Sequence, residues 1–309
     1  MNEMNSAIEV KNVSKRYATV EAVRDVSLTV APGEIVGLIG ADGAGKTTTM
    51  KMICGLLRPD AGSIHVAGFD VDKDNDKVKE RLGYMPQRFS LYPDLTVSEN
   101  IRFFSELFRL NDTERDKRTA RLYEFSKLGP FRDRRAGQLS GGMKQKLALC
   151  CNLIHEPDVM VLDEPTFGVD PVSRRELWDI LKDLKRRGSA LLVSTAYMDE
   201  AEMCNRVNIM HEGKILVSGK TEELLQSYPY RLFELYREDI SMSELEDLSH
   251  TIAKIKDVRN VNRFGDRLHV SITGDTALTG IQNIAGSYRV VVKAISPVME
   301  DVFVTAVGK

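Results

Sequence analysis

The chain has 309 residues, of which 42% are apolar and 28% charged, and its 43 Lys+Arg against 45 Asp+Glu leave a formal net charge of -2. That composition excludes a disordered or collagen-like chain, the length allows two domains, and the near-neutral balance gives no electrostatic reason to expect nucleic acid as a partner. The four cysteines (Cys54, Cys150, Cys151, Cys204) form no CxxC pair, which fits a reducing cytoplasm, and no apolar run reaches the roughly 18–20 residues that span a bilayer, so a membrane role has to come from a partner chain.

Up to about residue 30 the apolar residues alternate (AIEVKNV, AVRDVSLTV), which predicts antiparallel strands at an edge. Pro32-Gly33 makes a turn. The apolar run EIVGLIG (34–40) then passes into GAGKTTTMKMICGLL, whose apolar residues recur at helical spacing, so a strand, a glycine loop and a helix are expected in that order. Their junction, Gly40-Ala41-Asp42-Gly43-Ala44-Gly45-Lys46-Thr47, followed by Thr48, is a complete GxxxxGK[ST] pattern. Glycines let the backbone N–H groups converge on phosphate, and the helix start adds its positive end. Lys46 reaches the outer phosphates, and the Thr47 hydroxyl suits Mg²⁺. These residues point to a nucleoside triphosphate.

Residues from about 88 to 138 read mostly as amphipathic helix with exposed aromatics. The basic clusters Arg132, Arg134, Arg135 and Lys185, Arg186, Arg187 read as solvated surface. Ser140 is placed to cap a helix, with Gly141 and Gly142 freeing backbone N–H groups behind it. Asp158 to Glu164 (DVMVLDE) is an apolar strand ending in two carboxylates. Acids buried there need a cation or a proton, with Asp163 suited to Mg²⁺ and Glu164 to polarising a water. After about residue 225, SELEDLSHTIAKI has helical periodicity, DVRNVNRFGDRLHVSI reads as a hairpin turning near Phe264-Gly265-Asp266, and YRVVVKAISPVMEDVFVTAVG reads as a strand followed by a helix. His250 and His269 read as lone histidines with no catalytic constellation around them.

Leu139-Ser140-Gly141-Gly142-Met143-Lys144-Gln145, just before the Asp-Glu strand, resembles the signature of ATP-binding-cassette proteins. With the phosphate loop, the resemblance covers nearly the whole chain. It implies an α/β fold: a P-loop ATPase core with an antiparallel β edge and an inserted helical subdomain (about 88–150) in a domain 1–224, then a small C-terminal α+β domain, 225–309. It also implies ATP and Mg²⁺ as ligands, with Ser140, Gly141 and Gly142 receiving the γ-phosphate of the ATP held by the opposite cassette of a dimer.

The remaining roles follow the same resemblance residue by residue. Tyr17 in SKRY is similar to the aromatic that stacks on adenine, with edge-strand packing as its plain alternative. Gln87 in GYMPQ is similar to the glutamine that senses Mg²⁺ and the water, against an ordinary surface glutamine. Asp170 in GVDP is similar to the acid that crosses the dimer interface, against an Asp-Pro turn. Leu91, Tyr92, Leu95 and Phe103 are the expected contacts for a membrane partner's cytoplasmic helix. The chain departs from the family at Ala196, in LLVSTAYMDEAE, where the family carries a histidine that contacts the γ-phosphate.

The ending SPVMEDVFVTAVG resembles the C-terminal extension of ATPase subunits of ABC-2-type exporters. The resemblance therefore implies a cytoplasmic ATP-binding and hydrolysing subunit, peripheral on the inner face of the membrane through an integral ABC-2-type permease, and similar to the altered first cassette of two-ATPase exporters. The second cassette is either a copy of this chain or a different one. A nucleotide-gated regulatory subunit with negligible turnover and a non-transport cassette protein are the alternatives.

Overall fold

Alternating apolar residues build β1 (Ile8–Tyr17) and β2 (Val20–Val30), which pair antiparallel. The run after Pro32-Gly33 is β3 (Ile35–Ile39), buried at every position, and it feeds through the glycine loop into α1 (Lys46–Ile53). There follow β4 (Ala61–Val66), β5 (Phe69–Asp70), α2 (Asn75–Arg81), β6 (Leu82–Met85), α3 (Val97–Leu107), α4 (Asp112–Ser126), α5 (Gly141–Leu153), β7 (Val159–Asp163), α6 (Pro171–Arg186), β8 (Ala190–Thr195), α7 (Met198–Ala201), β9 (Arg206–His211) and β10 (Lys214–Lys220). This computed structural model describes residues 6–308, and the chain divides into two compact units, one ending at Gly219 and one starting at Lys220.

In the first unit β2-β1-β4-β5 form one sheet and β10-β9-β3-β8-β7-β6 another. In the larger sheet the neighbours from β9 to β6 run parallel. Parallel strands are covered on both faces, which is why β3, β7 and β8 are continuous apolar runs without polar alternation. The registers Ile39↔Thr195 and Asp163↔Ser194 bring the C-terminal ends of β3, β8 and β7 side by side, and ligands of open α/β sheets bind at that edge. Ile8, Val10, Val26, Met50, Ile53, Val161 and Leu192 join the two sheets and α1 in one core.

The stretch from 88 to 138 is α-helical only in α3 and α4, with short 3-10 turns at Gly129–Phe131 and Ala136–Gln138. Thr96 stops the extended chain before α3 with a complete capping box, its side chain accepting from the Glu99 N–H while Glu99 reaches back to the Thr96 N–H. Leu91, expected at a contact surface, is buried, because the bends and turn between β6 and α3 fold it inward, and Leu95 is half-buried. Tyr92 and Phe103 remain exposed, their ring centroids 4.8 Å apart.

The second unit contains α8 (Thr221–Gln226), β11 (Arg231–Tyr236), α9 (Met242–Ile252), β12 (Val258–Phe264), β13 (Arg267–Ile272), α10 (Asp275–Tyr288), β14 (Val291–Ile295) and α11 (Met299–Val307). Its sheet runs β12-β13-β11-β14 with antiparallel neighbours throughout, so β11-α9-β12-β13-α10-β14 is a ferredoxin-like βαββαβ arrangement. The hairpin turns at Gly265-Asp266, where the sequence spacing places it. Leu245, Leu248, Ile252, Ala277, Ile281 and Ala285 pack α9 and α10 on Phe233, Leu235, Leu268, Val270 and Ile272.

α10 is not anticipated by the sequence pattern, since Gly280, Gly286 and two threonines dilute its apolar stripe. His269 is not lone either. It is buried with Nδ1 3.0 Å from Asp301 and Nε2 3.9 Å from Glu234, and Phe264 stacks on its ring. Among the described residues no helix is long and apolar enough to cross a membrane. All four cysteines are buried, and burial pushes their thiols up, so they are packing residues rather than nucleophiles.

Candidate active site

The loop between β3 and α1 is shaped by what its glycines permit. Gly45 has φ 106°, a conformation L side chains rarely adopt, and a Cβ there would lie 2.4 Å from the Ala22 carbonyl oxygen of β2. Ala41, Asp42 and Gly43 are exposed at the tip, whereas Gly40 and Ala44 are buried at its base. Lys46 is turned inward and buried. Its Nζ donates to the Gly40 carbonyl at 2.7 Å and the Ala41 carbonyl at 3.2 Å, and lies 3.2 Å from Glu164 Oε1. Thr47 and Thr48 follow, half-buried, in the first turn of α1, which packs against β7.

Asp163 and Glu164 end β7 in different environments. Asp163 is fully buried. Its Oδ1 accepts from Ser194 Oγ at 2.6 Å, and its Oδ2 is buried with no hydrogen-bond partner among the described residues. A buried carboxylate oxygen left unpaired is costly, and a proton or a cation would compensate it. Thr47 on α1, which packs against β7, and Gln87, which meets the adjacent Glu164, carry further oxygens, and the chemistry of this set fits Mg²⁺.

Glu164 follows at φ 48°, a backbone position that a non-glycine residue occupies only when its surroundings impose it. Its N–H is held by the Ser194 hydroxyl at 2.9 Å and carbonyl at 3.2 Å. Gln87, in the loop after β6, donates from Nε2 to Glu164 Oε2 at 2.7 Å. Lys46, Gln87 and Glu164, far apart in sequence, therefore meet around one carboxylate.

A second group of expected residues gathers where the starts of α5 and α6 meet. Ser140 caps α5, its exposed side chain accepting from the Met143 N–H at 3.3 Å. A Cβ on Gly142 would lie 2.4 Å from Ser173 on α6, so only glycine lets the two helix starts approach this closely. Asp170 caps α6 through the N–H groups of Val172 and Ser173, and the Ser173 N–H holds its carboxyl below the usual range. Tyr17 is exposed at the end of β1, paired with Val20. Ala196 is exposed in the turn between β8 and α7 and offers no donor.

Sequence reading passes over Ser194, which binds both Asp163 and Glu164, and over Glu200, Thr166 and Arg174, which pair around the same turn. These are long-range pairs of ordinary residue types, and only the register Asp163↔Ser194 makes the first of them visible.

A phosphate loop between a parallel strand and a helix, with its lysine facing an Asp-Glu pair on a nearby strand, defines a P-loop nucleoside triphosphatase. Residues 23–167 match the ABC transporter family. The chain is 40% identical over 308 residues to the probable multidrug ABC transporter ATP-binding protein YbhF of Escherichia coli (strain K12), covering 99% of this chain but 53% of that protein, so it spans about half the length of that relative. It is 36% identical over 309 residues to the Nod factor export ATP-binding protein I of Burkholderia lata, covering 98% of this chain and 97% of that one.

Among solved structures, the ATP-binding subunit of an ABC transporter superposes with a TM-score of 0.67 at 31% identity over 72% of this chain and 93% of that one. A dimeric ATP-binding cassette in a post-hydrolysis state, bound to ADP and Pi, superposes at 0.63 and 27% identity over 69% of this chain and 98% of that one. The chain belongs to the ABC transporter ATP-binding family, and its first unit is the cassette fold.

Proposed function

We propose that this chain binds and hydrolyses ATP to power export through a separate ABC-2-type membrane permease, working as one half of a cassette dimer. The observation that supports this best is the meeting of Lys46, Gln87 and Glu164 beside the unpaired Asp163 Oδ2. Gly40 to Thr48 would cradle the phosphates, Tyr17 would stack on the base, and Thr47, Asp163 and Gln87 would hold Mg²⁺. The metal, when bound, draws charge from the phosphates.

Both oxygens of Glu164 are engaged here, Oε1 by Lys46 and Oε2 by Gln87. When Lys46 turns to the outer phosphates, Oε1 is freed to polarise an attacking water and take its proton. Ser140, Gly141, Gly142 and Asp170 would face the nucleotide of the opposite cassette, as the similarity to a dimeric solved cassette supports. Tyr92 and Phe103, with Leu107 exposed on the same helix, would receive a cytoplasmic helix of the permease; Leu91 is withdrawn from that surface because it is core.

Ala196 makes this chain's own site slow. Loss of one preorganised donor to developing charge costs roughly 10²–10³ in rate, whereas the Ser140 end is intact for a partner's ATP. The test is Mg-ATP turnover by the purified chain for wild type, Ala196→His and Glu164→Gln. Ala196→His should raise turnover about 10²-fold and Glu164→Gln should abolish it while nucleotide binding persists. A brisk wild type that Ala196→His leaves unchanged would favour a self-sufficient homodimer. A chain that stays inert in all three forms would favour the nucleotide-gated regulatory reading.

A further inference from the structure

The loop leaving β7 carries Glu164, the turn after β8 carries Ala196, and one carboxylate outside both segments holds them together. Glu200 of α7 is fully buried. Its Oε1 accepts from Thr166 Oγ1 at 2.5 Å and its Oε2 from Thr195 Oγ1 at 2.7 Å, so a single planar group spans the two segments. Thr195 Oγ1 in turn accepts from the Tyr197 N–H at 3.0 Å, which fixes the backbone on both sides of Ala196.

A third element joins through Arg174, near the start of α6. Its Nε lies 3.5 Å from Glu200 Oε1 and its Nη1 3.5 Å from Asp199 Oδ2, both as ion pairs, and its guanidinium lies over the Tyr197 ring 4.2 Å from the centroid. The same helix start is capped by Asp170 and packed on Gly142.

Glu164 is anchored at its own N–H by Ser194, and the Phe167 N–H closes a turn on the Glu164 carbonyl at 3.1 Å. The next anchor along that loop is Thr166 on Glu200. We propose that Glu200 is a positioning residue for ATP hydrolysis, fixing the loop 164–170 against the residue-196 turn and, through Arg174, against the start of α6. This rests on Glu164 acting as the base. A displacement near 1 Å in such a group is enough to cost up to about 10²-fold in rate, while the phosphate loop and Tyr17, which hold the nucleotide, are untouched.

Two readouts on the full chain decide it. In Mg-ATP turnover, Glu200→Gln and Thr195→Val should each lower kcat roughly tenfold to a hundredfold with KM for ATP within about twofold, and Thr195→Ser, which keeps the hydroxyl, should restore kcat. In amide hydrogen exchange of the ATP-bound chain, Glu200→Gln and Arg174→Ala should each speed exchange in 164–169 and in 195–203 together. Exchange is read whether or not the chain turns over, so a chain that binds ATP without hydrolysing it defeats the assignment of Glu164 and leaves the interlock itself tested. Glu200→Gln with a lower Tm but unchanged exchange in 164–169 would overturn the proposal, reducing Glu200 to a stabiliser of α7. A rise in KM at constant kcat would overturn it too.

Discussion

Two aspartates, one in each unit, are fully buried, and they are used in opposite ways. Asp301 in the C-terminal unit has both oxygens engaged, Oδ1 with His269 Nδ1 and Oδ2 with the Val298 N–H that it caps. Asp163 in the cassette has one oxygen on Ser194 and the other on nothing among the described residues. A satisfied buried carboxylate pins a helix to a sheet, whereas a half-satisfied one is a standing demand for a ligand. The difference separates structure from site without reference to any family.

That contrast is sharpest in paired substitutions. Asp301→Asn should destabilise the protein by about 2–3 kcal/mol, since it removes a charged acceptor from the buried His269 ring and the part-buried Val298 N–H. Asp163→Asn should leave Tm of the nucleotide-free protein unchanged or slightly higher, because it removes an uncompensated charge, yet it should abolish the stabilisation that Mg-ATP gives. Thermal melts with and without Mg-ATP read both. Equal losses of Tm from the two variants would break the comparison.

The histidines extend it with a smaller effect. His155 is stacked on Phe108 with ring centroids 3.7 Å apart, and burial, with the Arg118 charge adding to it, pushes its imidazole down to about 4. Between that value and the ordinary 6.5 of the unfolded chain, the unfolded state binds the extra proton, so stability falls as pH drops through this window, by about 3 kcal/mol in all. Denaturant titrations at pH 6.5 and 5 should show a decline for wild type that is flattened in His155→Phe. An equal slope in both would remove His155 as its source.

Smallest are the helix caps. Ser241 closes a full capping box on α9 with Glu244, whose carboxyl is held down to about 2 by the Arg237 guanidinium and the Ser241 N–H and hydroxyl. Ser140 makes a single 3.3 Å capping bond and receives no return bond from its third helix residue, Met143. Ser241→Ala should cost about 1 kcal/mol and Ser140→Ala a few tenths, measured as ΔG of unfolding. Ser140→Ala should instead slow turnover in a cassette pair, because its hydroxyl is spent less on its own helix.

The phosphate loop, the Asp-Glu strand and the signature are contiguous stretches in which each residue type has a local reason, so the nucleotide end of the cassette is legible in the sequence. The Gly265-Asp266 hairpin is legible for the same reason. What escapes depends on register and distance. Ser194 matters because it lies beside Asp163 in the next strand, Glu200 because three elements converge on it, and His269 because its acid is 32 residues away on α11. Leu91 misleads because an apolar residue flanking a helix carries no mark of which way the chain folds back. The helix α10 is missed because its glycines weaken the only periodic signal it has.

The order β9-β3-β8-β7 has a consequence for how the chain is made. The strand that launches the phosphate loop, β3, has neighbours on both sides that follow it by about 150 residues or more in the chain, as Ile39↔Thr195 and Ile39↔Ile209 show. At roughly 5–20 residues per second, a ribosome takes on the order of 10–30 s to deliver the first of them. For that interval five consecutive apolar residues have no lateral partner in this sheet, and the cassette's earliest vulnerability is therefore to wrong pairing on the ribosome, well before any question of ATP arises. The C-terminal unit, whose strands all lie within 65 residues of one another (Arg231 to Ile295), escapes that wait.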